Sequence, residues 1–183
     1  HGVMDRFGQA KPKVLFAADS YLYNGRYHDC REKVAQLAQA VDDLEQVIMI
    51  ESHHEQRSSI AIRNEHSYSR LLDRHSDEPS IAFKRFAFDH PLYIMYSSGT
   101  TGVPKCIVHG AGGTLIQHLK EHRLHCDLRE DDVFFYFTTC GWMMWNWLVS
   151  GLATGATLVL YDGSAFADDG RILLDAIDRE GIS

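Results

Sequence analysis

Two short apolar runs on either side of an amphipathic segment constrain the fold more than any other feature of this chain. Residues 14–18 and 47–50 are apolar and bounded by polar residues, which is typical of buried strands. Between them, apolar residues recur at spacings of three and four and predict an amphipathic helix over residues 31–44: Val34, Leu37, Ala38, Val41 and Leu44. A strand, a helix and a second strand in succession predict a βαβ unit with parallel strands.

The same alternation of strands and helices continues along the chain. Further strands and helices are predicted, in chain order, at residues 67–75 (helix), 114–124 (helix), 133–137 (strand), 142–154 (helix), 157–161 (strand) and 170–179 (helix). Leu71 and Leu72 are expected to face inward from the first of these helices, and Asn24-Gly25 predicts a turn. The pattern as a whole predicts an α/β fold with a mostly parallel sheet flanked by helices.

Composition narrows the classes of function. The formal net charge is −7, which argues against a nucleic-acid partner because such proteins usually present a basic face. No apolar run reaches the roughly 18 residues that a membrane span needs. The four cysteines form no CxxC pair, so we expect reduced thiols in a cytoplasmic protein, with Cys106 and Cys140 as small buried hydrophobic residues.

A loop of hydroxyl residues and glycines, residues 98–104, holds more hydrogen-bonding groups than a turn requires. Glycine at 99 and 102 lets the backbone approach a ligand, and successive exposed N–H groups form an anion-binding concavity. A lysine at 105 supplies a positive charge that suits phosphate oxygens. The pattern predicts a strand–loop–strand hairpin holding a polyphosphate, and Pro104 distinguishes it from the P-loop of NTPases. The residues predicted to bind the phosphates are Ser97, Ser98, Gly99, Thr100, Thr101, Gly102 and Lys105.

The run SSGTTGVPK, residues 97–105, resembles the phosphate-loop signature of the adenylate-forming acyl-CoA synthetase superfamily. The resemblance implies that the loop binds the β- and γ-phosphates of ATP while a carboxylate attacks the α-phosphorus. That superfamily usually has glycine after the lysine, and this chain has Cys106. The PKC triplet and the following VHGAGGTLIQHLKEH are most similar to the acetoacetyl-CoA synthetase subfamily.

This resemblance implies an ATP-dependent acid–CoA ligase that uses acetoacetate, ATP with Mg²⁺, and CoA. Residues 1–183 then correspond to part of the N-terminal AMP-binding (adenylation) domain, and the small C-terminal domain with the catalytic lysine is expected to lie beyond Ser183. These residues alone are therefore expected to be inactive, with no catalytic residue among them. Two alternatives remain: an acetyl- or propionyl-CoA synthetase, and a nucleotide-binding module without catalysis.

A cluster of aromatic and methionine residues, 141–147, follows a predicted strand and opens a predicted helix. Ligands of α/β proteins bind at the carboxyl ends of strands, which favours a binding role for this cluster. Aromatic and methionine side chains at helical spacing, however, more often fill a core. In the resembling superfamily, a Gly-Trp at this place precedes the acyl pocket. The resemblance implies a substrate-binding group in which bulky side chains suit a short acid: Trp142, Met143, Met144 and Trp145. Trp147 is expected to pack in the core.

The segment His118-Leu119-Lys120-Glu121-His122 matches the HxxEH pattern of inverted zincins. Two histidines four residues apart on a helix can bind zinc, and His125 adds a third imidazole. A protease also needs a carboxylate ligand that nothing here singles out, and it has no use for a phosphate loop. A plain helix is therefore favoured, no metal site is predicted, and the glycine-rich run 110–113 is expected to permit close packing at the start of that helix.

Overall fold

The chain forms two units that each contain parallel strands and helices. The first comprises residues 1–85 and 96–106, and the second comprises residues 86–95 and 107–183. The computed structural model describes residues 2–52, 59–78, 80–97, 102 and 104–183. Among these residues, no helix is both long enough and apolar enough to cross a membrane.

The first unit is built on a three-stranded parallel sheet with strand order β1-β4-β5. Its elements are α1 (Met4–Ala10), β1 (Val14–Ala18), β2 (Ser20–Tyr23), β3 (Arg26–Asp29), α2 (Arg31–Ala40), β4 (Gln46–Ile50), β5 (Glu65–Ser67) and α3 (Tyr68–Arg74). Leu15 lies opposite Val47, and Val47 lies opposite Glu65. The predicted βαβ unit is confirmed.

The core of this unit lies between α2 and the sheet. It consists of Leu15, Val34, Ala35, Ala38, Val41, Leu44, Val47, Met49 and Ile62. Helix α2 ends at Ala40 instead of Leu44 because the backbone of Val41 is extended, yet both Val41 and Leu44 remain buried. The guanidinium of Arg31 donates two hydrogen bonds to the Glu65 carboxylate, at 2.8 and 2.9 Å, and so ties α2 to β5.

The first unit contains a hairpin that the sequence analysis did not predict, and it exposes one leucine that was predicted to face inward. The connection from β1 to α2 contains a hairpin of β2 and β3, whose turn is Asn24-Gly25 with φ of 48° and 72°. Positive φ at both positions is the geometry that Asn-Gly favours in two-residue hairpins, so the predicted turn is confirmed. The prediction that Leu72 faces inward is wrong, since its side chain is 55% exposed.

Strands β6 (Pro91–Ser97) and β7 (Lys105–Gly110) pair with each other, and each is divided between the two units. The hairpin itself stays a prediction, because most of the residues that join the two strands lie outside the described part of the chain. The cysteine in β7, Cys106, is exposed, as is Cys140. The prediction that both thiols are buried is therefore wrong.

The second unit places helices around a short parallel pair of strands. After β7 come α4 (Ala111–Lys120), which continues as a π-helical turn (Glu121–His125), then β8 (Val133–Phe135), α5 (Met143–Ser150), a 3₁₀ turn (Gly151–Thr154), β9 (Thr157–Val159) and α6 (Ile172–Glu180). Val133 lies opposite Thr157 in the β8–β9 pair.

The glycine run at the start of α4 permits close packing, as predicted. The N–H of Gly112 donates a hydrogen bond of 2.8 Å to the carbonyl of Phe88. A Cβ atom at position 112 would lie 2.2 Å from the Phe88 ring, whereas nothing lies within 4 Å of the same position at Gly113. Gly112 is therefore the member of the run that the packing requires.

Candidate functional site

The predicted phosphate loop has two stems. One is the end of β6, which finishes at Ser97, and the other is the segment around Lys105, where β7 begins. Between them, Ser98, Gly99, Thr100 and Thr101 lie outside the described residues. Gly102 has φ of 140°, a backbone conformation that favours glycine, as predicted. No described atom lies within 4 Å of the position that a Cβ of Gly102 would take. Gly102 is also exposed.

Lys105 is exposed. Among the described residues, no carboxylate forms an ion pair with its ammonium group. Ser97 is half-buried at the opposite stem. An unpaired ammonium group beside a loop of hydroxyls and N–H groups is chemically suited to phosphate oxygens.

Helix α1 contacts both stems, and no pattern in the sequence predicts these contacts. The Tyr96 hydroxyl donates a 3.0 Å hydrogen bond to the carbonyl of Arg6, whose guanidinium carbon lies 5.7 Å from the centre of the Tyr96 ring. Burial raises the pKa of Tyr96, so its phenol remains a donor. On the other stem, Gln9 Nε2 donates to the carbonyl of Pro104 at 2.9 Å, and the thiol of Cys106 donates to Gln9 Oε1 at 3.4 Å.

The four residues predicted to contact the acid lie together at the start of α5, in the second unit. The N–H of Trp142 donates to the carbonyl of Thr139 at 3.0 Å, and the helix begins at the next residue. Trp142 is 71% exposed and Met143 is 51% exposed. Met144 and Trp145 are half-buried. A role for these side chains in binding an acyl group stays a prediction.

Trp147, by contrast, is half-buried and packs against three rings of the second unit, which agrees with its predicted packing role. Its ring centre lies 4.4 Å from that of His122, 5.3 Å from that of Phe134 and 5.7 Å from that of Tyr136. The two phenyl rings meet the indole edge-on, an arrangement that aromatic quadrupoles favour. The end of α5 is therefore held by packing, while its first turn carries the more exposed side chains.

Asn146 is a residue that the sequence-based prediction missed. Its side-chain Nδ2 lies 3.2 Å from the sulfur of Met95 in β6, and both residues belong to the second unit. Sulfur is a weak acceptor, so the contact orients the amide more than it stabilises the unit. The available signal was the presence of one amide within the otherwise apolar run from Trp142 to Val149.

The HxxEH segment does not assemble as a zincin site. The ring of His122 is completely buried, and its Nε2 lies 2.9 Å from the carbonyl of Trp147 and 3.1 Å from Ser150 Oγ. Glu121 instead accepts a hydrogen bond from Gln117 at 2.9 Å and pairs with Lys120 at 3.1 Å. In the described part of the chain, no three His, Cys, Asp or Glu side chains are grouped to hold a metal ion.

Two imidazoles of the second unit have their pKa lowered by burial. Burial lowers the pKa of His122 below its usual 6.5, and the Trp147 carbonyl and Glu121 offset only part of this effect. Burial, followed by the nearby His122 and His109, also lowers the pKa of His118. In the described structure, the Nδ1 atoms of His118 and His122 are buried and have no hydrogen-bond partner.

We expect the stability of the second unit to fall as the pH drops below about 6.5. The neutral imidazole is favoured in the folded state, so its contribution is complete above 6.5 and declines toward the lowered pKa of the folded protein. H122Q keeps a donor for the Trp147 carbonyl but cannot titrate. Hydrogen exchange of the α5 amides between pH 5 and 7 gives their free energy of opening. This free energy should depend less on pH in H122Q than in the wild type. H66Q, at an exposed position in β5, is the control, and an equal pH dependence in all three proteins would contradict the prediction.

Known proteins resemble the whole of this chain. A family model described as "AMP-binding enzyme" matches residues 2–183. Acetoacetyl-coenzyme A synthetase of Rhizobium meliloti (strain 1021) is 52% identical over 174 residues, which are 95% of this chain and 26% of the relative. Acetoacetyl-CoA synthetase of Gallus gallus is 47% identical over 188 residues, which are 100% of this chain and 28% of the relative.

A solved structure shares the fold. Acetoacetyl-CoA synthetase from Streptomyces lividans is 40% identical to this chain and matches it with a TM-score of 0.84, over 99% of this chain and 30% of that one. The chain thus spans less than a third of the length of these three relatives. The α/β fold and the superfamily resemblance predicted from the sequence are confirmed. Because the family model matches almost every residue, the chain belongs to the AMP-binding enzyme family.

Proposed function

We propose that this chain is part of the adenylating machinery of an ATP-dependent acid–CoA ligase, and that its acid is acetoacetate. The observation that carries the proposal is the loop between β6 and β7. Its stems are paired strands, its glycine at 102 has a backbone that only glycine adopts readily, and its exit carries the exposed ammonium of Lys105, which has no carboxylate partner among the described residues. The names of the relatives, which are acetoacetyl-CoA synthetases, support the choice of reaction and acid.

In the first proposed step, a carboxylate oxygen of the acid attacks the α-phosphorus of ATP. The bond from the α-phosphorus to the bridging oxygen breaks, and pyrophosphate leaves with that electron pair. Charge therefore accumulates on the β- and γ-phosphates. The hydroxyls and N–H groups of residues 97–102 and the ammonium of Lys105 would stabilise that charge without reorganising during the reaction.

In the second proposed step, the thiol of CoA attacks the carbonyl carbon of the acyl-adenylate. The thioester forms, AMP leaves, and the thiol proton is released. Mg²⁺ would take part in the binding of ATP and in the first step as part of the substrate MgATP, in which it would shield the phosphate oxygens. The loop residues fit the phosphate part of this substrate because they offer donors and one positive charge.

The acid would be selected at the first turn of α5, through Trp142, Met143, Met144 and Trp145. The exposed face of this turn is apolar and bulky, which leaves room for a short acid rather than a long chain. Methionine side chains are flexible and fit irregular small ligands closely. The acid specificity is proposed from these side chains together with the names of the relatives.

The experiment that tests the function is acid-dependent exchange of labelled pyrophosphate into ATP by the full-length protein. Acetoacetate, acetate and propionate are supplied separately at equal concentrations, with a reaction lacking any acid as the control. We expect the fastest exchange with acetoacetate. Faster exchange with acetate or propionate would contradict the proposed acid, and no exchange with any of the acids would reject the ligase in favour of a nucleotide-binding protein.

A further inference from the structure

Helix α1 holds the two stems of the phosphate loop from one side. Arg6 contacts the β6 stem through Tyr96, and Gln9 contacts the β7 stem through Pro104 and Cys106. These contacts join residues that are 90 to 97 positions apart in the chain. All of these residues belong to the first unit. A single short helix therefore meets the chain both where it enters the loop and where it leaves it.

Both polar atoms of the Gln9 side-chain amide form hydrogen bonds in this arrangement. Nε2 donates to the carbonyl of Asp5 at 2.7 Å, within α1, and to the carbonyl of Pro104 at 2.9 Å. Oε1 accepts from the thiol of Cys106 at 3.4 Å. Both carbonyls require a donor, so the amide can satisfy them in one orientation only.

The two residues that Gln9 contacts at this end of the loop, Pro104 and Cys106, are the immediate neighbours of Lys105. Successive side chains of a strand project to opposite faces, so Cys106 directed toward α1 leaves Lys105 directed away from it. Where the superfamily usually has glycine, the thiol of Cys106 gives Gln9 a second attachment point. The contacts thus define the direction in which the lysine leaves the loop.

We propose that Gln9 is a positioning residue for the phosphates of ATP, acting through Pro104 and Cys106 on Lys105. This rests on the proposed ligase function, since it assumes that Lys105 binds the phosphates. Gln9 touches neither ATP nor the acid in this proposal. Its loss should affect the use of ATP and leave the binding of the acid unchanged.

The test compares Q9M, Q9E and the wild type as full-length proteins. Q9M has similar length and no hydrogen-bonding groups, while Q9E keeps an acceptor for Cys106 and loses the donor for Pro104. We expect both variants to raise the KM for ATP in pyrophosphate exchange by about 2- to 10-fold, as for one lost hydrogen bond. The KM for the acid should stay at the wild-type value. Q36M is the matched control, because Gln36 is an exposed amide on α2 that donates a hydrogen bond to Glu32 of its own helix.

Hydrogen exchange measured on the same proteins separates this inference from the ligase function. The amides of Lys105, Cys106 and Ile107 should exchange about 2- to 10-fold faster in Q9M and Q9E than in the wild type and Q36M. Unchanged exchange at these amides would overturn the role of Gln9 whether or not the protein is a ligase. Faster exchange together with an unchanged KM for ATP would also overturn it. Absence of pyrophosphate exchange in the wild type would instead reject the ligase function.

Discussion

The M49A substitution is expected to lower the local stability of the first unit by about 2–5 kcal/mol, the cost of removing a fully buried large side chain. Met49 is 1% exposed and lies in β4, the central strand of the three-stranded sheet. Neighbouring strands flank it on both sides, with Ala17 and Ser67 as its paired residues. A backbone fixed by two strands cannot collapse into the cavity that alanine would leave.

Native-state hydrogen exchange of the β4 amides measures this change, because it reports the stability of one region even in a protein of several units. L72A is the matched control, since Leu72 is 55% exposed on α3. We expect L72A to change stability by less than about 0.5 kcal/mol. Equal effects of the two substitutions would show that Met49 is not enclosed by the sheet.

The K105A substitution should slow pyrophosphate exchange by an amount corresponding to about 1–3 kcal/mol, as for a lost charged contact. This is on the order of a 5- to 150-fold fall in rate. The expectation follows from the position of Lys105 at the exit of the loop and from the absence of a carboxylate partner among the described residues. K105R should retain part of the rate, because it keeps the charge and changes its geometry.

K33A provides the control for K105A. Lys33 is an exposed lysine on α2 of the same unit, so the substitution removes one positive charge at a distance from the loop in sequence. Its exchange rate should match that of the wild type. A rate unchanged in K105A would show that Lys105 does not contact the phosphates, and an equal loss in K33A would show that only net charge matters.

Features carried by local sequence were predictable. The apolar runs of β1 and β4, the amphipathic α2 and the Asn24-Gly25 turn each follow from residues close together in the chain, and all are present. Strand β5 was not predictable, because Glu65, His66 and Ser67 carry no apolar pattern and form a strand only by pairing with β4. The end of α2 was misplaced because Val41 and Leu44 stay buried after the helix has ended.

In the candidate site too, features carried by local sequence could be predicted and contacts between distant residues could not. The types and spacing of the loop's own residues predict a phosphate-binding loop, which stays a prediction, while the positive φ expected of a glycine is present at Gly102. The contact of Gln9 with Pro104 joins residues 95 positions apart, and nothing near Gln9 in the sequence indicates it. The exposure of Cys106 could not be predicted either, because cysteine is usually buried, and its contact with Gln9 of α1 joins residues far apart in the sequence.

The arrangement of α5 gives this chain a built-in optical probe. All three of its tryptophans lie between positions 142 and 147, and their environments differ. Trp142 is largely exposed, whereas the indole of Trp147 is half-buried and packs against aromatic rings. Indole emission shifts to shorter wavelength when water is excluded, so an acid that covers the first turn of α5 would change the emission of Trp142 and leave that of Trp147 as an internal reference. Fluorescence from this chain therefore monitors one helix.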